Sequence, residues 1–141
     1  MEKKINSEKK SDGKFGFEIK LHYFKNKEFN CPTDNNSWRK MDLNLLLILD
    51  KMRHRSGCVY KITSAYRTPA YNATLKNSSP NSAHCLGKAV DIAAPDSHTK
   101  FLIIESALYY GIERIGVGSN FIHIDIQEKN EKPTQVIWTY Y

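Results

Sequence analysis

No apolar run in this chain is longer than Leu45–Leu49, far short of the roughly 20 residues that span a bilayer. A transmembrane helix is therefore excluded, and insertion into a membrane is not expected. The N-terminus lacks the apolar segment of a secretory signal, so the expectation is a soluble protein made in the cytoplasm. Internal repeats are absent. Cysteine is scarce, with Cys31, Cys58 and Cys85 far apart and no C-x-x-C pair. An odd, scattered set excludes a disulfide framework and a cysteine zinc knuckle, and predicts free, mostly buried thiols.

What is present is ordinary globular composition: 40% apolar and 26% charged residues in 141 positions, enough for one domain with an apolar core. The net charge is +6, from 21 basic and 15 acidic residues. Residues 1–14 hold five of the lysines and three of the acids, with Ile5 the one aliphatic residue besides Met1. They read as a flexible charged tail, with residues 15–141 as a single domain. A basic balance suits nucleic acid, an anionic membrane or an acidic wall polymer. No nucleic-acid reader motif is present, and much of the charge lies in the tail, so nucleic acid is not the expected partner.

Phe15–Tyr23 alternates loosely as a short strand, and Phe24–Trp38 reads as a docked irregular segment. Met41, Leu45, Ile48, Leu49 and Met52 recur at helical spacing, with Asp42 near the start and Gly57 past the end, predicting a helix over Met41–Arg55. Val59–Ser64 follows as a strand. Pro69 suits the first turn of a short helix through about Leu75, and Lys76–Gly87 has loop chemistry. Lys88–Ala93 is a second strand. Asp96 or Ser97 can cap a helix through about Tyr110, stopped by Gly111. Ile112–Val117 and Phe121–Ile126 make a hairpin across Gly118-Ser119-Asn120, and Pro133–Tyr141 offers a last, aromatic strand. This order favours an α+β fold with a mostly antiparallel sheet.

Three residues stand out for chemistry: His84, Asp91 and His123. A catalytic zinc takes three protein ligands and keeps one position open, and imidazole and carboxylate are both suitable. Asp91 sits mid-strand between Val90 and Ile92, where its charge would be costly unless something positive meets it. Period-two alternation puts Phe121, His123 and Asp125 on one face, which Asp91 shares if the two strands pair. Spacing alone also permits a core histidine hydrogen-bonded to a strand aspartate.

The segments Ser64-Ala65-Tyr66-Arg67-Thr68-Pro69, Ser82-Ala83-His84-Cys85-Leu86-Gly87-Lys88-Ala89-Val90-Asp91-Ile92 and Phe121-Ile122-His123-Ile124-Asp125 closely resemble the M15 family of zinc D-Ala-D-Ala peptidases. The likeness is greatest to its short subgroup common in phages and prophages, and it covers about residues 24–126. It implies the fold shared with the hedgehog signalling domain, an α+β domain whose antiparallel sheet lines a zinc cleft. It also implies His84, Asp91 and His123 as ligands of Zn2+. Ser82 and Arg67 match substrate-holding residues, and a guanidinium fork suits both a terminal carboxylate and a developing oxyanion. Ser82 could instead only shape its loop, and Arg67 could instead fix a turn by pairing with Asp91 or Asp125.

Several M15 relatives place an acid three residues before the last histidine, and some a histidine two before it. Asn120 and Phe121 stand at those positions and neither can act as a base. Asp125 is the replacement expected to take the proton, weighed evenly against a role in orienting His123 or Arg67. Glu113 is an outside candidate.

The function implied is a zinc metallopeptidase cutting an amide bond in peptidoglycan stem peptides, as carboxypeptidase or endopeptidase. A monomer is expected, released by a holin-type partner or carried on a phage particle to act at the cell wall. The alternative is a zinc-containing binding module without turnover. His22, His54 and His98 read as surface residues, Cys85 as pointing into the core, and Trp138, Tyr140 and Tyr141 as packing aromatics.

Overall fold

The structure, a computed structural model, describes residues 4–9 and 15–141. Strands β1 (Lys4–Lys9) and β2 (Phe15–Lys20) pair antiparallel from Lys4↔Lys20 to Lys9↔Phe15. Part of the expected tail is thus strand.

Helix α1 (Leu43–Ser56) starts where Asp42 accepts hydrogen bonds from the backbone N–H groups of Asn44 and Leu45, and stops at Gly57 in the left-handed region. Both ends follow from side-chain and backbone chemistry that the sequence carries. Strand β3 (Ile62–Ser64) is shorter than the Val59–Ser64 run suggested. Helix α2 (Pro69–Ala73) has Thr68 as its cap and proline in its first turn. A 3-10 turn over Ala83–Leu86 lies within the loop that leads into β4 (Ala89–Ala93). Helix α3 (Ser97–Tyr109) is capped by Asp96, and β5 (Arg114–Val117), β6 (Phe121–Asp125) and β7 (Val136–Thr139) complete the chain.

The main sheet has the order β3-β4-β6-β5-β7. Every neighbouring pair is antiparallel except β5 with β7, which is parallel. This is the α+β architecture expected from the element order. No helix among the described residues is long and apolar enough to cross a membrane.

Strand alternation sorts the two sheet faces. Val90, Ile92, Ile115, Ile122 and Ile124 are buried in one core with Leu45, Leu46, Leu49 and Met52 of α1 and Ile103 and Ala107 of α3. Each large apolar side chain fully removed from water contributes about 1.5–3 kcal/mol. The opposite face carries Asp91, Phe121, His123, Asp125, Arg114 and Gly116. Registers Ser64↔Asp91, Asp91↔His123, Gly116↔His123 and Gly116↔Trp138 place Ser64, Asp91, His123, Gly116 and Trp138 in one row across all five strands.

The loop that carries His84 is held against the start of α1. The Asp42 N–H donates to the Gly87 carbonyl at 2.8 Å. Gly87 has φ +70°, and a Cβ there would lie 2.0 Å from the Lys40 carbonyl oxygen. Gly57 has φ +69° but open space around the same position. Gly87→Ala is therefore expected to cost about 3 kcal/mol or more, against about 1 kcal/mol for Gly57→Ala, because only the first adds a backbone clash to left-handed strain. Thermal melts of the two variants check this: Gly87→Ala should melt lower by on the order of 10 °C, and equal melting temperatures would contradict the packing described.

Candidate metal centre

His84 reaches the site from its 3-10 turn. Ser82 begins that turn, its hydroxyl accepting a hydrogen bond from the His84 N–H at 3.2 Å, and Gly87 ends it in the left-handed region. The His84 ring is buried, and its Nδ1 donates to the Ala65 carbonyl at 2.7 Å. A carbonyl can only accept, so Nδ1 carries a proton and Nε2 faces the cleft, able to offer a lone pair to an ion or, when protonated, a hydrogen bond to Asp91. That Nε2 lies 3.3 Å from Asp91 Oδ1.

Asp91 and His123 arrive from β4 and β6 as direct cross-strand partners. His123 Nδ1 is 2.8 Å from the same Asp91 Oδ1. The far nitrogen, Nε2, is 2.8 Å from Asp125 Oδ2. Burial works to raise the pKa of Asp91, but hydrogen bonds from His123 and His84 outweigh it and hold the carboxyl well below its ordinary range. For His123 burial works downward, and the hydrogen bonds to Asp125 and Asp91 prevail and raise it.

One ligand atom from each of His84, Asp91 and His123 falls within 4.8 Å of the others. Two imidazoles and one carboxylate are a donor set that a divalent transition metal accepts. The rings are also tied on their outer sides, His84 to a carbonyl and His123 to a carboxylate. Such ties are the usual supports of metal-binding histidines. The residues present therefore fit a metal ion.

The centre lies in a cleft of about 730 Å³. Arg67 stands on one side, its Nε donating to Ser64 Oγ at 3.0 Å and its Nη1 to Asn72 Oδ1 at 3.2 Å. Its Nη2 is 3.6 Å from Asp91 Oδ2. Asn72 is itself fixed by donating to the Ser79 carbonyl at 2.8 Å. Opposite Arg67 the cleft wall is aromatic, made by Phe121, Trp138 and Tyr140. The Trp138 ring centroid is 5.6 Å from that of His123. Gly116 makes room for this wall, since a Cβ there would lie 2.7 Å from the Tyr140 ring and 2.8 Å from the Trp138 ring.

Asp125 lies between His123 and Arg114. It is 2% exposed and both oxygens are engaged, Oδ2 with His123, and Oδ1 with Arg114 Nε at 2.7 Å and the Gln127 N–H at 3.2 Å. It touches His123 at the nitrogen remote from Asp91. Glu113 is exposed and lines a neighbouring cavity with Glu128 and Gln135; that cavity shares Asp125 and Gln127 with the metal cleft but does not include its three candidate ligands. Among the described residues lining the metal cleft, Asp91 and Asp125 are the carboxylates.

His22, His54 and His98 are exposed and outside the cleft, with His54 Nδ1 2.6 Å from the Tyr23 hydroxyl. The three cysteines are free; Cys31 is buried, while Cys58 and Cys85 are half-buried. Sequence reasoning missed Asn72 and Arg114, and treated Trp138 and Tyr140 as packing residues. Parity on β5 was the available signal for Arg114: it stands two residues before Gly116, on the face that bears His123.

Comparison with known families agrees with this geometry. The family model Peptidase_M15_2, described as peptidoglycan L,D-endopeptidase MepK, matches residues 3–130. No curated protein matches the chain at a significant level. The match takes in His84, Asp91 and His123 together with Arg67 and Ser82, and spans most of the chain. The resemblance to the M15 family read from the three motif segments is thereby borne out at the level of the family, and the chain belongs to the M15 family of peptidoglycan peptidases.

Proposed function

We propose that this chain is a zinc-dependent peptidase that hydrolyses an amide bond in peptidoglycan stem peptides. The observation that carries the reading is the convergence of His84 Nε2, Asp91 Oδ1 and His123 Nδ1 in an open cleft beside Arg67. His84, Asp91 and His123 would hold the ion, whose contribution is Lewis acidity toward a carbonyl and water made acidic near neutral pH.

The chain's own residues supply binding and orientation. Hydrogen bonds to Ser64 and Asn72 use two of the five N–H donors of Arg67, and Nη2 lies 3.6 Å from Asp91 Oδ2. The remaining donors serve a substrate carboxylate or the oxygen that gains charge as the amide is attacked. Ser82 lines the cleft next to His84 and adds a hydroxyl toward the substrate backbone. Phe121, Trp138 and Tyr140 shield one side from water, which strengthens the electrostatics within. Asp125 keeps the proton on His123 Nε2 and so leaves Nδ1 for the centre.

The description of the matched family favours an endopeptidase acting between an L and a D centre over removal of a terminal D-Ala. The partner is then the stem or its cross-link, and the place of action is the cell wall. Delivery by a holin-type partner or on a phage particle, and action as a monomer, belong to the same proposal.

Two outcomes check it. Adding zinc at about a thousand times its Kd should stabilise the fold by about 4 kcal/mol, a melting-temperature rise on the order of 10 °C. EDTA should reverse the rise, and His84→Ala, Asp91→Ala and His123→Ala should abolish it; a melt indifferent to zinc would contradict the metal reading. Digestion of purified peptidoglycan, followed by mass spectrometry of the released muropeptides, should show new free termini that vanish with His84→Ala. Arg67→Ala should keep zinc yet lose on the order of 10²-fold in kcat/KM. A zinc-loaded protein that leaves several wall chemotypes uncut would instead support the binding module.

A further inference from the structure

Arg114 takes no part in the chemistry described, yet it is 9% exposed, on the face of the sheet that bears the metal centre. Its Nε donates to Asp125 Oδ1 at 2.7 Å, and its Nη1 donates to the Pro133 carbonyl. The guanidinium carbon lies 4.9 Å from the centroid of the Trp138 ring. Asp125, its cross-strand partner, is in turn 2.8 Å from His123 Nε2. A chain of contacts thus runs from the C-terminal strand through Arg114 and Asp125 to an expected metal ligand.

A carboxylate so removed from water keeps its charge only when paired. Arg114 provides the pair, and its planar fork fixes direction as well as charge. With one oxygen held by Arg114, the other is aimed at His123 Nε2, which sets both the tautomer and the tilt of that ring.

We propose that Arg114 is a positioning residue of the metal centre: it holds Asp125 against His123 Nε2 and thereby fixes His123 Nδ1 toward His84 and Asp91. Through Pro133 and Trp138 it makes the C-terminal segment a support of the centre, although that segment lies beyond the family match over residues 3–130. The inference rests on the metal reading above but not on hydrolysis.

The test is the zinc affinity of the full chain, measured by competition with a chromogenic chelator, for wild type, Arg114→Met, Asp125→Asn and the double variant. Each single change should weaken zinc roughly 10-fold or more. The double variant should be no weaker than the weaker single one, because both act through one contact. Cobalt-loaded Arg114→Met should also show a visible absorption band shifted from wild type, which a purely structural arginine would not produce. If Arg114→Met does not fold, the same cycle is run with Arg114→Lys, which keeps a cation at Asp125 but cannot also reach Pro133. That variant should lose affinity, though less than Asp125→Asn does. Wild-type zinc affinity in the folded Arg114 variant, or losses that multiply in the double variant, would overturn the inference. A wild-type chain without zinc affinity would overturn it together with the metal reading, whereas zinc binding without wall cleavage would overturn only the peptidase reading.

Discussion

The register between β4 and β6 is the constraint on which the rest of the site depends. With Asp91 opposite His123, the apolar neighbours Val90, Ile92, Ile122 and Ile124 all face the helices, and the polar residues all face the cleft. A slip by one residue would reverse both sets at once, burying the carboxylates in the apolar core and exposing the isoleucines. Core packing and site geometry therefore specify the same pairing. The energy of the apolar layer holds two ionisable strand residues within hydrogen-bond distance.

Around that pair, the remaining parts are fixed from outside the sheet's core. His84 is carried by a loop, and three features hold it there: the Ser82 hydroxyl opening its turn, Gly87 closing it, and the hydrogen bond from the Asp42 N–H to the Gly87 carbonyl. Arg67 is held by Ser64 and Asn72, so its guanidinium is oriented before any substrate arrives. His123 Nε2 is bonded to Asp125 on the side remote from Asp91. Rigid positioning of this kind is what turns a set of suitable residue types into a site, since small displacements cost much of the binding or rate.

Much of this was legible in the sequence. The helix over Leu43–Ser56 announces itself by its apolar spacing, Asp42 and Gly57; the two strands bearing Asp91 and His123 do so by alternation. The α+β class followed from these, and the three candidate ligands from their residue types together with the resemblance to the M15 family. Other features depend on tertiary contact and have no local signature. Which nitrogen of His123 meets Asp125 is set by ring rotation. Arg114 is read as functional only once its partner across the β5–β6 ladder is known, and Glu113, one residue earlier, drew notice because it is an acid. The aromatic wall depends on Gly116 and on the parallel docking of β7 beside β5, a pairing between segments that a hairpin rule does not reach. The strand over Lys4–Lys9 was hidden by its charge.

The central claim is that His84, Asp91 and His123 form one metal centre. A crystal structure of the zinc-loaded protein, with anomalous scattering recorded at the zinc edge, tests it most directly. The account predicts a single strong peak among His84 Nε2, the Asp91 carboxylate and His123 Nδ1, with Asp125 still bonded to His123 Nε2. A peak elsewhere, or an ion held through His123 Nε2 with Asp125 turned away, would contradict it.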